Sequence, residues 1–396
     1  SQNKCAITLH QMHGFHQLGL FEHFHKDLGQ AHQQLDECPS QHTDTFYHRH
    51  LLAELSFNKH DLLHKPAKPS DIKPAVTLLD QFYALKKLRY RCEAHIRNQI
   101  DKHVFPPRQT AMLLKTLQPY NKPACPYPYL FLNIHHLLNA ATYPQSKPYY
   151  KRLKDFATAA LQTENQQHAA SPPPALSEAL SYLIHHCLHW YSRGHEEAGN
   201  EYLWWIELKM QHGWLLQSKT LSPVTFRNTL LIAVKHKSAV WMQQFITVCS
   251  PYLDQEEHAS NVAFANGLLY YRLKKYKEAG RFFLTAQAKA QPLFNSLIRR
   301  WQWICSYECD ALDTQTLENQ LLSFHRYLNR NKPELAQHKK AYDKFILYAC
   351  QLLLQQSASQ PVHLLNKLEK EEFFPGKHWL LQQLSLKTNP AVLQNH

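Results

Sequence analysis

Glycine is scarce in this chain, with nine in 396 residues. Average usage is about 7%, so most of the left-handed backbone positions that hairpins and phosphate loops require are missing. No G-x-G occurs. The near match Gly194 to Gly199, a G-x-x-x-x-G, runs into Asn200 where a phosphate cradle needs lysine. Nucleotide-binding loops are disfavoured on that ground, and no G-x-S-x-G nucleophile elbow is present either. The nine cysteines are odd in number and include no C-x-x-C pair, which is the pattern of free thiols in a reducing, intracellular setting. There is no uninterrupted run of 18 apolar residues and no basic-then-apolar leader. No membrane insertion is therefore expected, and the expected location is cytoplasmic. Because the chain starts at Ser1 rather than Met, a processed chain or one lacking an N-terminal region is also expected.

What remains is rich in Leu, Gln, His, Ala and Lys, a composition that defaults to helix. The 22 prolines bunch in "KPAKPSDIKP" (65–74), "FPPRQ" (105–109), "PYNKPACPYPY" (119–129) and "SPPPA" (171–175). Proline is tolerated at a helix start and not in its interior, so these bunches punctuate a series of helices. The formal charge is +13, and 28 histidines add latent positive charge. Acidic protein surfaces, nucleic acid and anionic lipid all suit that balance.

Helical periodicity is clearest from residue 74. Leu78, Phe82, Leu85, Leu88, Cys92 and Ile96 recur at spacings of three and four, after Asp71 and with Pro74 in the first turn. The other side of this helix carries Lys86, Arg89, Glu93 and Arg97, a mostly basic stripe. Similar periodicity predicts helices over 16–36, 43–59, 107–118, 129–141, 147–162 and 174–192, and no alternating strand pattern is found.

In "YYRLKKYKEAGRFFLTA" (270–286), Gly267, Tyr270, Tyr276, Ala279, Phe283 and Ala286 set small residues and aromatics where two helices cross closely. This order resembles the tetratricopeptide (TPR) repeat, a 34-residue antiparallel helix pair, with Pro292 just past the second helix as in that family. Matching positions recur around Ala198 ("GHEEAGNEY", with Tyr202 and Trp205), Met242 and Leu317. The four anchors Ala198, Met242, Ala279 and Leu317 give periods of about 37–44 residues, within the range of helix-pair arrays. The chain as a whole also resembles a family of uncharacterised bacterial helical-repeat proteins, through "TFYHRHLLAEL" (45–55), "LLDQFYALKKLRYRCE" (78–93), "LSPVTFRNTLLIAV" (221–234) and "FHRYLNRNK" (324–332). That resemblance implies a fold and no activity. The fold expected is all-α, TPR-like antiparallel helix pairs stacked in a right-handed superhelical array, an α-solenoid. Residues 1–170 would form irregular helix pairs, 171–330 the TPR-like repeats and 331–396 capping helices.

No local signature of catalysis or of a cofactor emerges, and the chain is read as a non-enzymatic interaction scaffold. His185 and His189 stand four apart on one helical face, as two metal ligands must, but Cys187 points away from them and His186 occupies the place of a metalloprotease glutamate. His10 with His13 and His48 with His50 are comparable pairs, and a histidine-rich composition yields such pairs by chance. No metal is assigned. The first helices of a helical array line its inner face, which would present Asn261, Phe264, Leu268, Tyr271 and Arg272, preceded by Tyr182, His185 and His189. Phe264 and Leu268 are equally read as seals to the next repeat. The expected partner is an acidic protein or peptide. Its candidate contacts are Asn261, Tyr271, Arg272, His185, His189, Lys86, Arg89 and Arg97. The alternative is nucleic acid along the basic faces, where Arg and Lys alternate with aromatics in 85–97, 272–277, 297–301 and 324–332.

Overall fold

The computed structural model describes residues 2–36, 43–62, 68–97, 106–163, 174–287, 291–310, 312–336, 338–354 and 360–388. Cys38, the side chain of Cys5 and parts of the proline bunches lie outside them. Every regular element among the described residues is helical. The residues divide into two compact units, with the division inside one helix at His186 and Cys187 rather than near residue 170.

The first unit holds α1 (Gln2–Gln17), α2 (Phe21–Asp36), α3 (Thr43–Leu62), α4 (Pro69–Ile96), α5 (Pro107–Leu117), α6 (Pro126–Leu138), α7 (Tyr143–Thr163) and the part of α8 (Pro174–Tyr191) up to His186. The helix expected over 16–36 is two helices, because Gly19 takes φ +68° and breaks the run. α4 starts a turn earlier than its spacing suggested. Asp71 accepts the Lys68 N–H at 2.9 Å and caps the helix there, leaving Pro74 inside it. α1, α2 and α3 share a small core of Leu9, Met12, Phe24, Leu28, Leu52 and Leu55, while α4 packs on α3, α5 and α6.

The second unit continues through α9 (Glu196–Gln211), α10 (Pro223–His236), α11 (Ala239–Cys249), α12 (Gln255–Arg272), α13 (Tyr276–Gln287), α14 (Pro292–Glu308), α15 (Thr314–Arg330), α16 (Lys332–Leu335), α17 (Lys339–Leu353), α18 (Gln360–Lys370) and α19 (Lys377–Thr388). Proline opens α5, α6, α10 and α14 at the first helical position, where its missing N–H has no partner to lose. Ser238, Asp254 and Asp313 cap α11, α12 and α15 by accepting from Trp241, Glu256 and Thr316 N–H.

The repeat spacing has a packing counterpart. Ala198, Met242, Ala279 and Leu317 fall in the first turn of α9, α11, α13 and α15, and all four are buried. Four residues on, Tyr202, Ile246, Phe283 and Leu321 are buried, and seven on so are Trp205, Cys249, Ala286 and Phe324. One stripe at helical spacing therefore seals each second helix. α10 packs on α12, α12 on α13, α13 on α14 and α14 on α15. The closest approach is at Gly267 of α12, where an added Cβ would lie 2.5 Å from the Phe283 ring.

Residues 331–388 do not stand apart. Trp303, Phe324 and Leu328 share one core with Leu335, Phe345, Tyr348, Leu368, Phe374, Trp379 and Leu384, so α16–α19 and the last helix pair bury a single apolar surface.

Two substitutions in one helix pair test this packing. Gly267→Ala forces its methyl into the Phe283 ring and lowers stability by about 1–3 kcal/mol. Gly280→Ala, whose Cβ meets nothing closer than Cys305 Cβ at 4.0 Å, is neutral or gains up to about 1 kcal/mol from helix propensity. Urea unfolding of the two variants beside the parent checks the opposite signs; equal effects would refute the close crossing.

Candidate interaction surface

The basic stripe of α4 is largely neutralised within the chain. Lys86 Nζ lies 3.4 Å from Asp44, Arg89 Nη2 lies 2.9 Å from Glu178 and Arg97 Nη2 lies 2.5 Å from Glu93. Exposed pairs of this kind add little stability, but they occupy the charges an acidic ligand would need. His185 is half-buried, and burial, with His95 adding to it, pushes its imidazole pKa down. His189 lies one turn further along α8, where its Nδ1 accepts from Arg193 Nη1 at 2.9 Å and its ring meets Trp190 edge-on. His10, His13 and His48 border one pocket of about 350 Å³ between α1 and α3, with Tyr47 and Glu54. Burial lowers the pKa of His48, against the opposing effect of Asp44. Among the described residues no three His, Cys, Asp or Glu side chains are grouped as a metal ion would need.

The α12 candidates require correction. Asn261 is fully buried and faces neighbouring helices of the chain. Its Nδ2 donates to Glu257 O at 2.8 Å, and its Oδ1 accepts from Arg227 Nη1 at 2.9 Å. Arg227, on α10, pairs with Glu257 at 3.3 Å and lays its guanidinium 4.3 Å from the centre of the Phe294 ring on α14. Asn261 is thus part of a strut tying α10, α12 and α14. Nothing in its spacing distinguished that role, because the partner comes from a helix 34 residues away. Tyr271 is packed against Trp301 and Tyr276, with ring centres 4.9 and 5.4 Å away, and burial pushes its phenol pKa far up. Phe264 and Leu268 are fully buried, and Phe264 meets Phe283 and Phe294, which is the sealing role. Arg272 alone of this group is exposed, and its Nε donates to Lys237 O at 3.1 Å.

The chain's own C-terminal segment lies over the turns where first helices pass into second ones. Trp379 Nε1 and Gln383 Nε2 of α19 donate to Glu308 at 2.6 and 2.8 Å, and the Trp379 ring stands edge-on to Tyr307 and Trp303. At the other end of α19, His378 lies 2.7 Å from Glu196 in the first turn of α9. Glu196 also holds Lys235 at 2.7 Å and His236 at 3.0 Å, from the last turn of α10. Burial acts to raise its pKa, but His236, His378 and Lys235 together outweigh that and hold the carboxyl well below the usual range. α19 thus meets both the end of α14 and the first turn of α9.

One surface stays open. A groove of about 560 Å³ runs between α13 and α15 over α14. Leu284 is 65% and Leu312 39% exposed on its sides, and Trp303, Cys305 and Phe324 lie at its base. Its charged lining is Lys277, Arg281 and Arg299, without a carboxylate. Lys277 and Arg281 are exposed and follow the four-and-three spacing that puts them on one stripe with Leu284. Arg299 donates from Nε to Asn295 Oδ1 at 2.9 Å and lies over the Tyr327 ring. Two of these three cations, Lys277 and Arg281, are in the "YYRLKKYKEAGRFFLTA" stretch.

Glu196→Gln removes the charge that gathers Lys235, His236 and His378, and lowers stability by about 1–2 kcal/mol at pH 7 for a partly exposed cluster. A carboxyl whose folded pKa is depressed contributes stability above the ordinary glutamate value, lost as pH falls through the folded one. The gap between parent and variant in urea unfolding should therefore shrink below about pH 4.5, and a gap independent of pH would contradict the assignment.

Comparison with protein-family models, with curated proteins and with solved structures found no match to this chain.

Proposed function

We propose that the chain is a non-enzymatic scaffold, an array of TPR-like pairs in a right-handed superhelix, that binds an acidic, amphipathic segment of a protein partner in the α13–α14–α15 groove. The observation that carries the reading is the lining of that groove. Exposed leucines flank an aromatic base, and three cations meet no lining carboxylate. An occupant with apolar anchors on one side and Asp or Glu beside them matches it in both respects. The formal charge of +13 favours the same class of partner and speeds its approach. A nucleic-acid partner is less favoured, since Lys86, Arg89 and Arg97 are each paired with a carboxylate. No described helix is long and apolar enough to cross a membrane. Cys92, Cys249 and Cys305 are free and buried, in keeping with the cytoplasmic location proposed here.

Contacts first sought at Asn261 and Tyr271 move under this reading to Lys277, Arg281 and Leu284, with Arg272 outside the groove. Affinity purification from the native cell, with parallel nuclease treatment, tests it. Proteins retained by the parent chain should fall about tenfold or more with Lys277→Glu/Arg281→Glu and be unaffected by nuclease. Retention unchanged by the charge reversal, or abolished by nuclease alone, would remove the proposal.

A further inference from the structure

Arg300 stands near the middle of α14 and is only 7% exposed. Guanidinium stays protonated in proteins and offers five N–H donors, yet among the described residues it makes no hydrogen bond and no ion pair, and its Nε is buried without a partner. Its guanidinium lies over the Trp301 ring, 5.6 Å from the ring centre, and Trp301 Nε1 is likewise buried and unpartnered. Two phenols lie within electrostatic reach of the charge, Tyr342 of α17 and Tyr191 of α8, and no hydrogen bond of either hydroxyl occurs among the described residues. No carboxylate among the described residues acts on this group; the one that acts on Tyr191, Glu196, is already held by Lys235, His236 and His378. Among the described residues, then, the Arg300 charge has no counter-charge.

Burying a permanent charge without a counter-charge costs several kcal/mol, and folding normally avoids it by pairing. Arg300 has kept its charge, its fork of donors and two neighbouring O–H groups, all unassigned. We infer that this is the site of a small oxyanion, a free phosphate-type ion or a single phosphoryl group, held by the Arg300 guanidinium with Tyr191 and Tyr342 as further donors. A guanidinium meets such an oxyanion with two parallel N–H donors, which is the strong, geometrically selective form of that contact. The turn ahead of α19 covers the site. Gly376, at φ +94°, brings its backbone so close that an added Cβ would lie 2.6 Å from the Phe345 ring and 3.5 Å from Arg300 Cδ. An anion on Arg300 therefore also secures the turn from which α19 departs.

The test is calorimetric titration of the full chain with inorganic phosphate against chloride at matched ionic strength, with a parallel titration of phenyl phosphate. The parent should bind about one phosphate per chain, saturably, and Arg300→Met should bind about tenfold or more weakly, while Arg272→Met, which removes an exposed arginine, leaves binding unchanged. Binding of phenyl phosphate as well identifies a phosphoryl group carried on a larger molecule, and binding of phosphate alone identifies the free ion; either, lost in Arg300→Met, supports the site. If Arg300→Met does not fold, Arg300→Lys keeps the charge and loses the fork, and should bind measurably but more weakly. Hydrogen exchange supplies a second readout, with amides of 377–388 slowed by phosphate in the parent and not in the Arg300 variant. No saturable binding by the parent, or equal loss in Arg272→Met and Arg300→Met, would overturn the inference.

Discussion

With no strand among the described residues, every helix has to bury its apolar stripe against other helices, and that constraint organises the molecule. In the second unit it is met by one repeated device, a trio of positions at intervals of four and three on α9, α11, α13 and α15, all of them buried. The residues differ in size from Ala to Trp, so the pairs cannot be identical. Gly267 lets α12 and α13 approach until the Phe283 ring fills the space of a side chain, whereas the anchor itself is the small Ala279 on α13 and the larger Met242 on α11, both buried. Burial of the stripe is common to the four pairs, and its depth is set by the local partner.

Polar groups within the helical stack follow two different rules. The Arg227, Glu257 and Asn261 strut is satisfied on every side that matters, with a carboxylate, an amide and an aromatic face all meeting one guanidinium, and it sets α10, α12 and α14 in register. Arg300 is as deeply placed and, among the described residues, meets neither carboxylate nor amide, only the Trp301 ring. Two arginines, one fully engaged and one without a hydrogen bond or ion pair among the described residues, distinguish a structural charge from one left available for a ligand.

Charge and apolar surface are likewise redistributed by the fold. The stripe on α4 that looked most basic is met by Asp44, Glu178 and Glu93, while Lys277 and Arg281 of α13 face a groove with no acid in its lining. The C-terminal helices add a second rearrangement. α19 takes up surface between Glu308 and Glu196 and draws Trp379 into the main core.

How much of this was readable in advance follows from the range of the interactions. Helix content, the proline-led starts and the stripe around Ala198, Ala279 and Phe283 are consequences of neighbours three and four residues apart, and periodicity reports such neighbours directly. The break at Gly19 and the early start of α4 depend on a single backbone angle and a single capping bond, which spacing does not register. The burial of Asn261 and Tyr271, the pairing of Lys86 and Arg89, the reach of α19 to Glu196 and the isolation of Arg300 are all decided by residues tens to more than a hundred positions away. A one-dimensional pattern says which side of a helix is apolar; only the assembled helices determine which charges that packing neutralises, which it leaves facing solvent and which it buries alone.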